Sequence, residues 1–486
     1  YQANCLTLIL GLICVFQSNA QDVKITHGGK APFEITKGSD ILNYSMDGNR
    51  YYISTYFKNV QMNYDFIGYN NSGENKTSGR LEIHNGVMGN GYFIKEVLPL
   101  GNSMYAIIEN RNKSTGKNTL LARTISENGF VSKSETELIS FPYEKMMNSG
   151  TNKASVSPDQ KTMAIVSEMP FENKMPAVYK IALFDEHLKE IKSGEITLTE
   201  ENTKNKNITV LVGNKGAVYI IKKTSTKNGE PALDVVQWTG SGSIKEYSID
   251  LTPPVYMFSY VFAVNPNDEL IISGTYHERK VISAGEKQAR GIFYFTNKGM
   301  DEKILHTFPL DNAVDNLRAQ KVIINNSTVF LVAEQFKETK NPPPAGVSTV
   351  GFEHTYTYTH KDNHIFGLDA DGNKKFQVVL NKDFETRDFN QIYQSGYFIV
   401  NDKLTVVYND NLNKYVPGIS DSRIVPVISQ ITNDGLMKDP IVFKDKLKLP
   451  GSYLMYPSFS VQDSQNQISV LIGDRDNFEL TTISID

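Results

Sequence analysis

Short apolar runs separated by polar turns fill this chain, and their spacing repeats. In residues 155–168 (SVSPDQKTMAIVSE) a short strand ending at Val156 meets the turn Ser157-Pro158-Asp159-Gln160-Lys161. A stronger apolar strand, 162–166, follows. Pro presets φ for the turn, and Asp bonds back to the backbone. Equivalent anchors fall at Asp47-Gly48, Gly101-Asn102, Gly213-Asn214, Pro266-Asn267, Asn325-Asn326, Asn401-Asp402 and Gln465-Asn466, most of them 53–59 residues apart. Each leads into an apolar strand, such as 103–108 (SMYAII), 217–221 (AVYII) or 328–333 (TVFLVA). Most follow a shorter one, such as 260–264 or 397–400.

The second half of each unit recurs as well. A third strand, a polar turn and a fourth strand read from 291–295, Asn297-Lys298-Gly299 and 304–308, and again from 365–368, 369–373 and 375–380. The turns are of hairpin type, and no helical period of useful length appears. Four strands per unit, repeated about eight times, predict an all-β chain folded as a β-propeller of about eight four-stranded blades, with seven as the alternative. Each small sheet needs neighbours to bury both of its faces. The last unit ends the chain on its third strand, so the strand-like segment 23–36 is expected to close that blade. Two or three β-sandwiches in series are the competing arrangement.

Composition sharpens this picture. Tyr and Phe number 25 each against a single Trp, which favours β structure. Charged residues make up 21% and the net charge is −4, which lacks the basic footprint of nucleic-acid binding. Residues 6–16 (LTLILGLICVF) have the size of a signal-peptide core, and Ser18-Asn19-Ala20 supplies small residues for cleavage. Export is therefore expected, to the periplasm, the outer surface or the medium, with a leader over 1–20 and one domain over 21–486. Both cysteines, Cys5 and Cys14, fall within that leader, so neither disulfides nor cysteine chemistry are expected beyond it. No later apolar run is long enough for a transmembrane helix.

Candidate chemistry lies where units depart from the repeat. The largest departure is an insertion between the second and third strands of unit six, 335–364. It holds Asn341-Pro342-Pro343-Pro344 and an alternating run from His354 to His360. As a strand, that run puts His354, Tyr356, Tyr358 and His360 on one face and threonines on the other. A metal reading fails on reach, because His354 and His360 would stand roughly 20 Å apart. Only a turn joining His360, His364 and Asp362 could serve. The expectation is an exposed arm with an aromatic face for a partner, and no metal. Asp369-Ala370-Asp371-Gly372-Asn373 departs from calcium-loop spacing and reads as a hairpin turn. A second group, Tyr256 and Phe258 with Tyr456, sits in the connectors between units. These share one end of a propeller with the second-to-third-strand loops, where an aromatic-lined pocket would form.

The chain has no G-x-S-x-G, GxGxxG or P-loop pattern, so neither a serine-hydrolase elbow nor a cofactor is expected. The run from His354 through Ile365-Phe366-Gly367-Leu368-Asp369 to Asn401-Asp402-Lys403-Leu404 and Val407-Tyr408-Asn409-Asp410-Asn411 resembles a group of uncharacterised exported proteins of Bacteroidota. The Ser157–Lys161 turn is similar to the Ser-Pro-Asp-Gly-Lys turn of TolB-like propellers. Phe376 and Asn381-Lys382-Asp383 depart from the first group, which tends to carry Trp and Lys-Gln there. These resemblances imply an exported propeller and no particular activity. The sequence thus reads as a non-enzymatic binding or scaffolding module that contacts a protein or glycan of the cell envelope. A propeller hydrolase or lyase acting on glycans is the alternative.

Overall fold

The computed structural model describes residues 23–33, 40–46, 48–58, 61–82, 91–143, 148, 150–201, 208–225, 230–240, 244–252, 254–278, 288–298, 302–342, 355–387, 392–416, 424–443, 454–473 and 477–485. The expected leader and His354 lie outside the described residues.

The chain is an eight-bladed β-propeller. Eight antiparallel sheets follow one another along the sequence, seven of four strands and one with a fifth. The blades span 40–80, 91–142, 151–201, 208–249, 256–315, 317–387 and 396–442, and the eighth combines 454–485 with 23–32. Among the described residues the only helical element is the 3-10 turn Leu412–Lys414. First strands of neighbouring blades contact one another, so they crowd round the axis while fourth strands form the rim.

Ring closure takes the expected form. Strand Val23–Pro32 pairs antiparallel with Asn477–Ile485, from Val23 opposite Ile485 to Pro32 opposite Asn477. His27 Nδ1 meets Glu479 Oε1 at 2.7 Å across that seam.

The core is divided rather than central. Eight buried apolar clusters each draw on two adjacent blades, and together they cover all eight interfaces. Within the second strand of each blade the pleat explains this. In Thr162–Glu168, Met163 and Ile165 pack toward blade two while Ala164 and Val166 pack toward blade four. Such strands are buried on both faces and read as continuous apolar runs.

The anchor turns link the blades at the opposite end from the arm. Gly101 N donates to Gln160 O at 2.6 Å, Asp159 N to Asn214 Oδ1 at 3.1 Å, and Lys215 N to Asp268 Oδ1 at 3.0 Å. Asn325 Nδ2 reaches Asp402 O at 3.0 Å, and Asn401 N reaches Gln465 O at 2.8 Å. Arg50 Nε donates to Asp463 Oδ1 at 2.7 Å between blades one and eight. These Asn and Asp residues thus shape their own turns and also tie blade three to four, four to five, six to seven and seven to eight.

Candidate functional site: an arm on blade six

The second and third strands of blade six, Thr328–Lys340 and Tyr356–Asp369, are 13 and 14 residues long. The second strand of blade three has 7. Their outer halves stay paired, with Phe336 opposite His360, Glu338 opposite Tyr358 and Lys340 opposite Tyr356. A further strand, Phe384–Arg387, adds to the other edge, with His360 opposite Phe384 and Thr357 opposite Arg387. The expected hairpin is therefore a three-stranded arm continuous with its blade.

An irregularity sits at its root. Glu334 pairs with Asn363 but Phe336 with His360, so three steps on one strand match two on the other. Such a bulge re-aims the side chains beyond it. It puts Tyr356, Tyr358 and His360 on the same face as Glu334 and Asn363, which look toward blade seven. The predicted one-face alternation of the described members holds, and Phe336 joins them. Phe336 and Tyr358 stack with centroids 6.2 Å apart, Tyr356 and Tyr358 with 6.3 Å, and Phe336 lies 5.0 Å from His360. Tyr356 and Tyr358 are half-buried, whereas His360 is fully buried.

His360 belongs to the base of the arm rather than to its exposed surface. Its Nδ1 lies 3.0 Å from Glu334 Oε1, and Lys382 Nζ donates to that same oxygen at 2.8 Å. Lys382 also donates to Ser395 Oγ at 3.3 Å and to Tyr393 O. Asn363 joins the group, donating to Ser395 Oγ at 3.2 Å and accepting from Tyr397 Oη at 3.2 Å. Burial alone would raise the Glu334 carboxyl, but the Lys382 ammonium and the His360 ring outweigh it and hold it below the usual carboxylate range. This polar knot joins blade six to the connector entering blade seven.

His364 lies on the other face of the sheet. It alternates with Phe366 and Leu368, which pack toward blade five. No single ion can reach both His360 and His364. Asp369 closes the hairpin turn read from the sequence: its Oδ1 accepts from Asp371 N at 3.1 Å and Asn373 N at 2.8 Å.

The aromatic connectors do not converge. Tyr256 and Phe258 begin blade five and flank His277, at centroid distances of 5.8 and 6.0 Å. Tyr456 is 2% exposed in the core between blades eight and one, against Phe459 at 5.6 Å and Phe478 at 5.2 Å. Its side chain packs the core rather than lining a pocket with the other two. Tyr456 lies in the first strand of its blade, Leu454–Ser464, and not in the connector before it.

Glu109, Glu168 and Glu334, which no sequence motif singled out, occupy one position of the unit. Each is the seventh residue of the second strand, in blades two, three and six. Each caps the core facing the next blade. Glu109 accepts from Asn118 Nδ2 at 2.6 Å, Arg111 Nη2 at 2.8 Å and, across the interface, Asn152 Nδ2 at 3.0 Å. Glu168 lies 3.5 Å from Lys222 of blade four. The signal was present, since SMYAIIE, TMAIVSE and TVFLVAE all end an apolar strand on Glu. These carboxylates occupy three different interfaces, each beside its own cation.

No protein-family model and no curated protein matches the chain. Among solved structures it is similar to the WD40 domain of SCAP from fission yeast, at 9% identity over 96% of this chain and 98% of that one, with a TM-score of 0.38. It is also similar to a PL25 ulvan lyase, at 10% identity over 87% and 95% and a TM-score of 0.39. An acylaminoacyl peptidase of Pyrococcus horikoshii matches at 9% identity over 82% and 58%, with a TM-score of 0.32. These distant neighbours include both a WD40 domain and enzymes, and at this distance they carry no functional argument.

Proposed function

We propose that this protein is a binding or scaffolding propeller whose partner, a protein or glycan of the cell envelope, docks on the arm of blade six. One observation carries the reading: Tyr356 and Tyr358 are half-exposed and stacked on an arm whose root is fixed by the buried Glu334–His360–Lys382 group. Aromatic side chains supply contact area at low entropic cost, and a pre-ordered arm loses little freedom on binding. The leader expected over 1–20 supports an exported setting. Among the described residues no helix is long and apolar enough to cross a membrane. The separation of Glu109, Glu168 and Glu334 into different interfaces favours binding over a glycan hydrolase built on that set of carboxylates.

The test is capture from envelope extract by the wild-type chain and by Y356A/Y358A, with circular dichroism and melting used to confirm the fold. The partner is expected to disappear with the two rings. An unchanged set of captured molecules would overturn the proposal.

A further inference from the structure

The face of the arm opposite its aromatic rings has a chemistry of its own. The pleat puts Gln335, Lys337 and Thr339 on that face, with Thr357, Thr359 and Lys361 on the paired strand. Arg387 and Glu385 stand opposite Thr357 and Thr359 on the third strand. No apolar side chain lies among these described residues.

Where this face meets the end of blade five there is a groove of about 290 Å³, lined by Asp315, Asn316, Gln335, Lys337, Thr359 and Lys361. Its floor is fixed: Phe336 N donates to Asn316 O at 3.0 Å, and Gln335 Nε2 donates to Asp315 O at 3.3 Å. Lys337 and Lys361 are exposed, and neither forms an ion pair among the described residues. Within the groove the two cations Lys337 and Lys361 stand against one carboxylate, Asp315.

We infer that this groove binds an acidic saccharide, a glycan bearing carboxylate or sulfate groups. Two free ammonium groups in one groove suit an anion, because charge-assisted hydrogen bonds are the stronger ones. The hydroxyl and amide groups between them suit a ligand rich in hydroxyls. A peptide side chain would instead seek an apolar anchor, which this lining lacks. The inference rests on the arm being the contact element, but it uses the opposite face from Tyr356 and Tyr358.

The test is electrophoresis of the full chain through native gels containing polygalacturonate, neutral dextran or poly-glutamate. Polygalacturonate is expected to retard the wild-type chain, and neutral dextran is not. K337M/K361M should weaken that retardation about tenfold or more, as expected for losing two charge-assisted contacts. The charge-matched control K133M/K161M, at two exposed lysines on other blades, should retain it. Polygalacturonate should also protect Lys337 and Lys361 from acetylation, read by mass spectrometry. Equal behaviour of the two double variants, or retardation by neutral dextran, would overturn the ionic site. Equally tight poly-glutamate binding would overturn its assignment to a saccharide. Y356A/Y358A should keep its saccharide retardation, so failure here and failure of partner capture are separable results.

Discussion

Lys382 Nζ donates to Glu334 Oε1 at 2.8 Å with the lysine side chain wholly buried, at the point where the arm leaves blade six. His360 shares the same oxygen at 3.0 Å. A lysine so placed is tolerated only because its charge is met and its donors are used, here by a carboxylate, a hydroxyl and a backbone carbonyl.

Removing one partner of this pair should therefore harm the fold more than removing both. K382M leaves the Glu334 carboxylate buried beside His360 alone, at a cost of about 3–5 kcal/mol. E334L/K382M should recover a substantial part of that loss. Urea denaturation of the two variants and the wild type checks the order, and a double variant no better than K382M would contradict it.

His364 gives a pH dependence of known sign. Burial lowers its pKa, with Asp362 partly opposing, and neither ring nitrogen has a hydrogen-bond partner among the described residues. The unfolded chain takes up a proton near pH 6.5 and the folded chain only at lower pH. The stability this residue contributes is thus complete above about pH 6.5 and is lost as pH falls through the folded value. H364F should lose less stability than the wild type between pH 7 and pH 5. A difference in urea midpoint that does not change with pH would rule this out.

Asp268 ties blade five to blade four. Its carboxylate accepts from Lys215 N and Ala217 N, each at 3.0 Å. D268A strands these donors, one of them buried, and should cost about 1–3 kcal/mol. D159A should cost less, because the Lys161 N–H it leaves behind is exposed to water and the Ser157 hydroxyl it frees still accepts from Thr162 N. Comparing the two melting curves tests whether the turn-to-turn contacts matter beyond the turns themselves.

The closing strand should govern assembly as well as stability. Without 23–32 the strand Asn477–Ile485 becomes an open edge with unpaired backbone groups, the arrangement that promotes strand-to-strand association. The shortened chain should melt at lower temperature and form larger species by light scattering, and a synthetic peptide of 23–32 should reverse both effects. A monomer of unchanged melting temperature would show that the seam contributes little.

Much of this molecule is legible in its sequence. The turn at Ser157–Lys161 and its counterparts locate the hairpins, because Pro, Asp, Asn and Gly act through their own backbone. The alternation from Tyr356 to His360 correctly places its described residues on one face. What escapes depends on neighbours. Glu168 at the end of an apolar strand reads as a strand leaving the core, until Lys222 of the next blade stands beside it. Tyr456 reads as a loop aromatic until Phe459 and Phe478 enclose it.

The sequence by itself determined the main strands, the repeat of the unit and its closure by the segment 23–36, since periodicity and turn chemistry are local properties. Only the tertiary structure decided that His360 is buried at the root of the arm while Tyr356 and Tyr358 are half-exposed. It also decided that His364 faces away from His360 and that two lysines share one groove. Burial, electrostatic pairing and the bulge at Glu334 arise where blades meet, and residues tens of positions apart supply them together.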